Sequence, residues 1–252
     1  MDVPADILEL ARGARRVTVL SGAGASAESG IPTFRDAQTG LWTHLRPEDL
    51  ATPQAWHRDP PRVWAWYAWR TRIAAACAPN AGHLAIAEWG RREGVTMSVV
   101  TQNVDDLHER GGSAEVAHLH GSLFRHKCDT CNARHRGELD FPAEQVARLD
   151  PPDCEHCGLG RIRPDIVWFG EPLDERVFAG AVAAVESADL VAVVGTSGIV
   201  YPAAALPGIA RSMGIPVIEI NPHGSELFDQ VDHAWEVSAA EGLPALVAAL
   251  DA

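Results

Sequence analysis

Lysine is almost missing from this chain of 252 residues: Lys127 is the only one, and every other of its 21 basic residues is arginine. Such a bias fits a GC-rich genome and carries no information on fold. Positive charge as a whole is scarce, 21 basic against 34 acidic residues, for a formal net charge of −13. A surface of that sign repels phosphate backbones and anionic lipids, so neither a nucleic-acid nor a membrane partner is expected. Long apolar runs are missing too. No stretch approaches about 18 uninterrupted apolar residues, so no transmembrane helix is expected. The opening MDVPADILELARGARR carries Asp2, Asp6 and Glu9 where a signal peptide needs a basic start and an apolar run, and a cytoplasmic location is expected. Cysteine is sparse, and five in a reducing compartment argue for metal ligation or buried thiols rather than disulfides.

What is present is an ordinary globular balance, 46% hydrophobic and 22% charged, which excludes disordered, collagen-like and disulfide-scaffold classes. Four β-branched runs end in small polar residues. Val17–Leu20 leads into Ser21-Gly22, Thr96–Val100 into Thr101-Gln102-Asn103, Leu190–Val194 into Gly195-Thr196-Ser197, and Pro216–Ile220 into Asn221-Pro222. Continuous apolar strands separated by helical patterns predict an α/β, doubly wound, Rossmann-like parallel sheet, with ligands at the strands' carboxyl ends. Two stretches break the rhythm: a tryptophan-rich helical insertion over 37–80 and a cysteine-bearing module over 126–163. The sheet domain is expected to comprise 1–36, 81–125 and 164–252.

Cys128-x2-Cys131 and Cys154-x2-Cys157 have the spacing of a structural zinc site, and an all-cysteine shell leaves no position open for catalysis. His126, His135 and His156 lie close by but are not needed to complete the shell. Cys77, in an Ala-rich helix, reads as a buried apolar residue. The segment Gly22-Ala23-Gly24-Ala25-Ser26-Ala27-Glu28-Ser29-Gly30 follows a strand and opens a helix, as a pyrophosphate-binding loop does. Its spacing departs from the dinucleotide fingerprint, with Ala27 where the third glycine belongs. A tight strand-to-helix turn without ligand accounts for it as well.

The run GAGASAESGIPTFRD (22–36) resembles the signature of the sirtuins, the NAD-dependent protein deacylases. So do TQNVDDLHERGG (101–112), HLHGS (118–122), the four cysteines, DIVWFGE (165–171), GTSGIVYPA (195–203) and INP (220–222), all in family order. The resemblance implies NAD contacts from Gly22, Ala23, Gly24, Phe34, Arg35, Gln102, Asn103, Asp105, Gly195, Thr196, Ser197, Asn221, Pro222 and Ala239. It makes His120 the catalytic base and leaves His118 structural. In the reaction it implies, the acyl oxygen displaces nicotinamide and His120 activates a ribose hydroxyl. Water then releases free lysine, nicotinamide and O-acyl-ADP-ribose.

Tyr67 and Arg70 stand at i and i+3 in WAWYAWRTR and share a helix face. Arginine can fork onto a carboxylate while tyrosine donates a further hydrogen bond. The pair resembles the Tyr-x-x-Arg of class III sirtuins of bacterial type, which accept succinyl- and malonyl-lysine beside acetyl-lysine, and Thr33 agrees with that class. A packed tyrosine beside a solvated arginine is the other reading. Acyl-lysine proteins or peptides are the expected partners, laid as an extended strand between Val167, Trp168, Phe169, Gly170, Glu171 and the loop Gly198–Val200. The competing functions are an NAD-dependent ADP-ribosyltransferase and a zinc-ribbon nucleic-acid binder, the second supported only by Arg134, Arg136, Arg161 and Arg163. A hydride-transfer dehydrogenase is disfavoured by the glycine spacing.

Overall fold

The computed structural model describes residues 2–32, 49–227 and 229–251. Thr33, Phe34 and Arg35 lie outside the described residues. The central strands β1 (Arg16–Ser21), β2 (Thr96–Thr101), β7 (Leu190–Val194) and β8 (Val217–Ile220) are flanked by β3 (Val116–His118) and β9 (His233–Trp235). They form one sheet in the order β3-β2-β1-β7-β8-β9, parallel throughout. All five residues of β7 are fully buried. Leu190, Ala192 and Val194 meet one helical layer, and Val191 and Val193 the other. Burial on both faces is what a continuous apolar strand requires.

Helices α1 (Ala5–Gly13), α5 (Ala81–Gly90) and α9 (Ala239–Leu250) cover one face; α7 (Glu175–Glu186) and α8 (Leu206–Ser212) cover the other. The short α2 (Gly24–Ala27) follows β1, and α6 (Leu107–Arg110) follows β2. From β1 the chain runs outward through β2 and β3 on one side; β7, β8 and β9 fill the other. The switch point between β1 and β7 is where two strand-end loops diverge and leave a crevice.

The second unit holds α3 (Pro53–Arg58), α4 (Pro60–Ala76) and an antiparallel sheet of β4 (Gly121–Cys128) between β5 (Arg134–His135) and β6 (Ile162–Ile166). Thr52 caps α3 by accepting the Ala55 amide at 3.1 Å. Trp56, Trp64, Trp66, Tyr67, Leu123, Ile162 and Trp168 pack with Cys128 and Cys154 in one core. Helical segment and cysteine module thus share a single interior, and their sheet extends past 126–163 at both ends. Helix α4 is not one-sided: Val63 through Ala68 are buried in succession. Among the described residues no helix is long and apolar enough to cross a membrane.

Candidate functional site

The loops after β1, β2 and β7 converge on a cavity of about 870 Å³, with Gly22, Ala23, Gly24, Gln102, Asn103, Asp105, Gly195, Thr196 and Ser197 on its wall. The glycines of the first loop are required by its neighbour. A methyl group at Gly22 would stand 2.8 Å from Thr196 Cβ, and one at Gly24 would stand 2.8 Å from the Gly195 backbone. The Gly24 amide donates to the Gly195 carbonyl at 2.8 Å, stitching the loops together. Gln102 Nε2 donates to Thr196 Oγ1 at 3.1 Å, and Asn221 Nδ2 to the Thr196 carbonyl at 2.9 Å. Asn221 thus props the β7 loop from behind. Asn221, Pro222 and Ala239 are not on this cavity's wall. Ala239 starts α9 with its side chain in the main core and its carbonyl against Gly82.

His120 lies between β3 and β4 and also lines the cavity. Its Nδ1 is 3.0 Å from the Gln102 carbonyl oxygen. A carbonyl only accepts, so Nδ1 carries the hydrogen and Nε2 keeps a lone pair. Burial pulls this imidazole below its ordinary pKa, only partly offset by the Gln102 carbonyl. The neutral form, a proton acceptor, is favoured. Gly121 turns the chain immediately after it at φ +79, where a methyl group would overlap the Asp165 carbonyl. Only glycine delivers the imidazole and then enters β4.

Asp105 is buried, and that burial raises its pKa against hydrogen bonds from the Leu107 amide and Ser26 Oγ, each at 3.1 Å. Ser26 is a hub the sequence did not single out. Its hydroxyl donates to Asp105, accepts from Asn103 Nδ2 at 3.1 Å, and meets His83 Nε2 at 3.4 Å. Behind it, Ser21 Oγ donates to Thr101 Oγ1 and lies 2.8 Å from His108 Nε2. His118 bridges the Asn103 carbonyl and Glu109. Burial opposes its charge, yet those two partners outweigh it and raise its pKa. It faces its supports rather than the cavity, whose wall it does not join.

The same wall carries Tyr67 and Arg70 from α4, with Val167, Trp168, Phe169 and Gly170 from the loop after β6. Tyr67 is 2% exposed, and burial lifts its phenol to about 12. Arg70 is half-buried. Its guanidinium lies 4.9 Å from the Trp66 ring centre, and burial lowers its pKa while Tyr67 and Asp105 favour the charge. Polar anchors of this kind on an otherwise apolar wall select among ligands.

Away from the cavity, the sulfurs of Cys128, Cys131, Cys154 and Cys157 lie within 4.8 Å of one another, with Cys128–Cys157 at 3.7 Å and Cys131–Cys154 at 3.8 Å. Four thiolates about 2.3 Å from a tetrahedral zinc are separated by roughly 3.8 Å, so the donor set fits that ion. The amides of Thr130 and Cys131 point at Cys128 Sγ from 3.4 Å.

Residues 22–202 match the profile of the Sir2 family. A protein of Mycolicibacterium smegmatis named NAD-dependent protein deacylase Sir2 is 52% identical over 232 residues, 92% of this chain and 95% of that protein. The crystal structure of a Sir2 homolog–NAD complex is 43% identical with a TM-score of 0.89, covering 99% of this chain and 94% of that one. A mutant Sir2 homologue in complex with 2'-O-acetyl ADP ribose is 42% identical with a TM-score of 0.87, covering 99% and 97%.

Proposed function

The chain belongs to the Sir2 family, and from that premise we propose that it is an NAD-dependent protein-lysine deacylase whose acyl pocket takes succinyl and malonyl groups beside acetyl. The observation that carries the acyl specificity is the placement of Tyr67 and Arg70 on the same cavity wall as His120. The half-buried guanidinium and the phenol are donors on that wall that a short apolar acyl group cannot engage. A carboxylate can, through charge-assisted hydrogen bonds.

The cavity suits NAD in size and lining: two interlocked glycine loops, the amides of Gln102 and Asn103, and the hydroxyls of Thr196 and Ser197. When bound, NAD supplies the activated ribose carbon that receives the acyl oxygen. Asp105, held by Ser26 and the Leu107 amide, would anchor the nicotinamide carboxamide. His120 Nε2 takes the proton of a ribose hydroxyl, since its Nδ1 hydrogen is committed to Gln102. Apolar surface from Ile31, Pro32 and Val167 limits water while the bond to nicotinamide breaks. Phe34 and Arg35 would complete the ribose and phosphate contacts.

We read the substrate as an acyl-lysine peptide lying along Val167–Gly170 and Gly198–Val200. The amides of Val167, Trp168, Phe169 and Glu171 already bond within the chain, so pairing there would draw on carbonyl oxygens. The cysteines would hold one zinc that ties the small sheet to the tryptophan core and takes no part in the reaction. A cytoplasmic setting suits this reading, because thiols stay reduced there. The division into a sheet domain, a helical insertion and a zinc module remains our reading, the last two joined by their shared core.

Turnover of succinyl- and acetyl-lysine peptides by Arg70→Met tests the acyl specificity. The variant should lose desuccinylation by about 100-fold and deacetylation far less, since a paired charge is removed from one reaction only. Equal losses would refute a carboxylate clamp.

A further inference from the structure

Trp168 Nε1 donates to Tyr67 Oη at 2.9 Å, and the two rings stack with centroids 6.2 Å apart at 28°. An indole N–H is a donor only. The tyrosine oxygen is therefore the acceptor in this bond, and the hydroxyl hydrogen must point elsewhere. Among the described residues no side chain or carbonyl takes that hydrogen, and Tyr67 sits on the cavity wall. We propose that Trp168 is a specificity-determining positioning residue whose N–H turns the Tyr67 hydroxyl hydrogen toward the acyl pocket, where it meets an acyl carboxylate. The inference rests on the acidic-acyl reading of Tyr67 and Arg70.

The indole is held on several sides. Arg163 lies over its ring, Cζ 3.3 Å from the centroid, and is itself forked onto Glu171 at 2.6 and 3.0 Å. Glu171 Oε2 also accepts the Trp168 backbone amide at 2.9 Å, and Trp56 packs against the indole at 5.7 Å. A cation over the face of an indole draws on its electrons and makes its N–H a stronger donor. That bond in turn makes the phenol a stronger donor, as successive hydrogen bonds polarise one another. The relay Arg163, Trp168, Tyr67 thus ends on the pocket as a reinforced O–H. With a phenylalanine at 168 the ring packing would survive, but the hydroxyl could rotate and offer a lone pair, which repels a carboxylate. A neutral acetyl group has no carboxylate to sense the difference.

Steady-state kcat and KM for succinyl- and acetyl-lysine peptides would be compared for wild type, Trp168→Phe, Trp168→His, Tyr67→Phe, Trp168→Phe/Tyr67→Phe and Arg70→Met. Trp168→Phe should raise the succinyl KM and lower the succinyl-to-acetyl ratio of kcat/KM about five- to tenfold, less than the full worth of a hydrogen bond to an anion because the freed hydroxyl still points at the pocket part of the time. Trp168→His, which keeps a ring N–H, should recover part of that ratio. The double variant should be no more impaired in the ratio than Tyr67→Phe alone, because one side chain acts through the other. A ratio unchanged in Trp168→Phe, or losses that multiply in the double variant, would overturn the inference. Should Trp168→Phe fail to fold, Tyr67→Phe decides: an unchanged ratio there removes the hydroxyl from recognition and overturns the inference too. If Arg70→Met spares desuccinylation, the acidic-acyl reading itself fails. If Arg70→Met abolishes it while Trp168→Phe keeps the ratio, only the role of Trp168 fails.

Discussion

His120 Nδ1 and the Gln102 carbonyl oxygen stand 3.0 Å apart, joining the end of β2 to the turn before β4. That contact sets the tautomer and leaves Nε2 as the only proton acceptor on the ring. Burial keeps the imidazole below its ordinary pKa of 6.5, so it is neutral at pH 7. The acidic limb of kcat/KM should therefore fall below pH 6.5, with activity rising toward neutrality; a limb centred above pH 7 contradicts the assignment. His120→Ala should lower deacylation by about 10²–10⁴-fold, the usual weight of a general base, while calorimetry still detects NAD binding. Retained turnover would remove His120 from the reaction.

The sulfur cluster gives a second outcome. Cys128 and Cys154 are buried in the same core as Trp56 and Trp64, so metal loss should loosen that core rather than remove a reacting group. Cys154→Ser should lose bound zinc, unfold at lower temperature and deacylate poorly, with destabilisation on the order of several kcal/mol. Metal analysis, thermal unfolding and turnover on one preparation check it. A zinc-free protein with normal unfolding and full activity would rule out the structural role.

The parallel sheet was legible because burial on both faces leaves β7 no polar position, and its five apolar residues show it directly. The glycine loop was legible as glycine, but not for the right reason alone. Gly22 and Gly24 give way to Thr196 and Gly195, more than 170 residues later in the chain. Helix α4 misleads a reader who expects one apolar stripe, since it is enclosed on several sides with Val63 through Ala68 all buried. Ser26 was invisible as a functional residue, and Trp168 was read only as part of the peptide-pairing strip, not as a partner of Tyr67. Their partners, Asp105 and Tyr67, lie 79 and 101 residues away, and no local spacing encodes such a bond. Ala239 was placed by the resemblance as an alanine near the C-terminus, which says nothing of the core contacts that hold it.

The buried pair His83 and His108 gives the last outcome. Their rings are 4.8 Å apart, edge to face, and each residue is 1% exposed. His83 Nδ1 accepts the Asn80 amide, which leaves Nε2–H to donate toward Ser26. Ser21 spends its hydrogen on Thr101, so His108 Nε2–H donates to Ser21, and His108 Nδ1 is buried without a partner among the described residues. Burial drives His83 to about 4, and burial with the neighbouring His83 drives His108 to about 3. In the unfolded chain both titrate near 6.5. Above that pH neither state binds a proton at these sites and they add no pH dependence. Between about 6.5 and 4 the unfolded chain binds protons that the native fold refuses, so stability falls as pH falls. Each histidine contributes up to about 1.4 kcal/mol per pH unit in that window. His118 works the other way. Its folded pKa is raised, so its contribution is present below the unfolded value and lost as pH rises through the folded one. The difference between the His108→Asn variant and wild type isolates His108, since His83 and His118 remain in both. Urea unfolding of His108→Asn at pH 7.5, 6.5, 5.5 and 4.5 should show a shallower acid slope than wild type, by about 1.4 kcal/mol per unit below 6.5. Parallel slopes would mean that His108 already carries a proton in the native fold, and that the rings behind Ser21 and Ser26 are not a neutral pair.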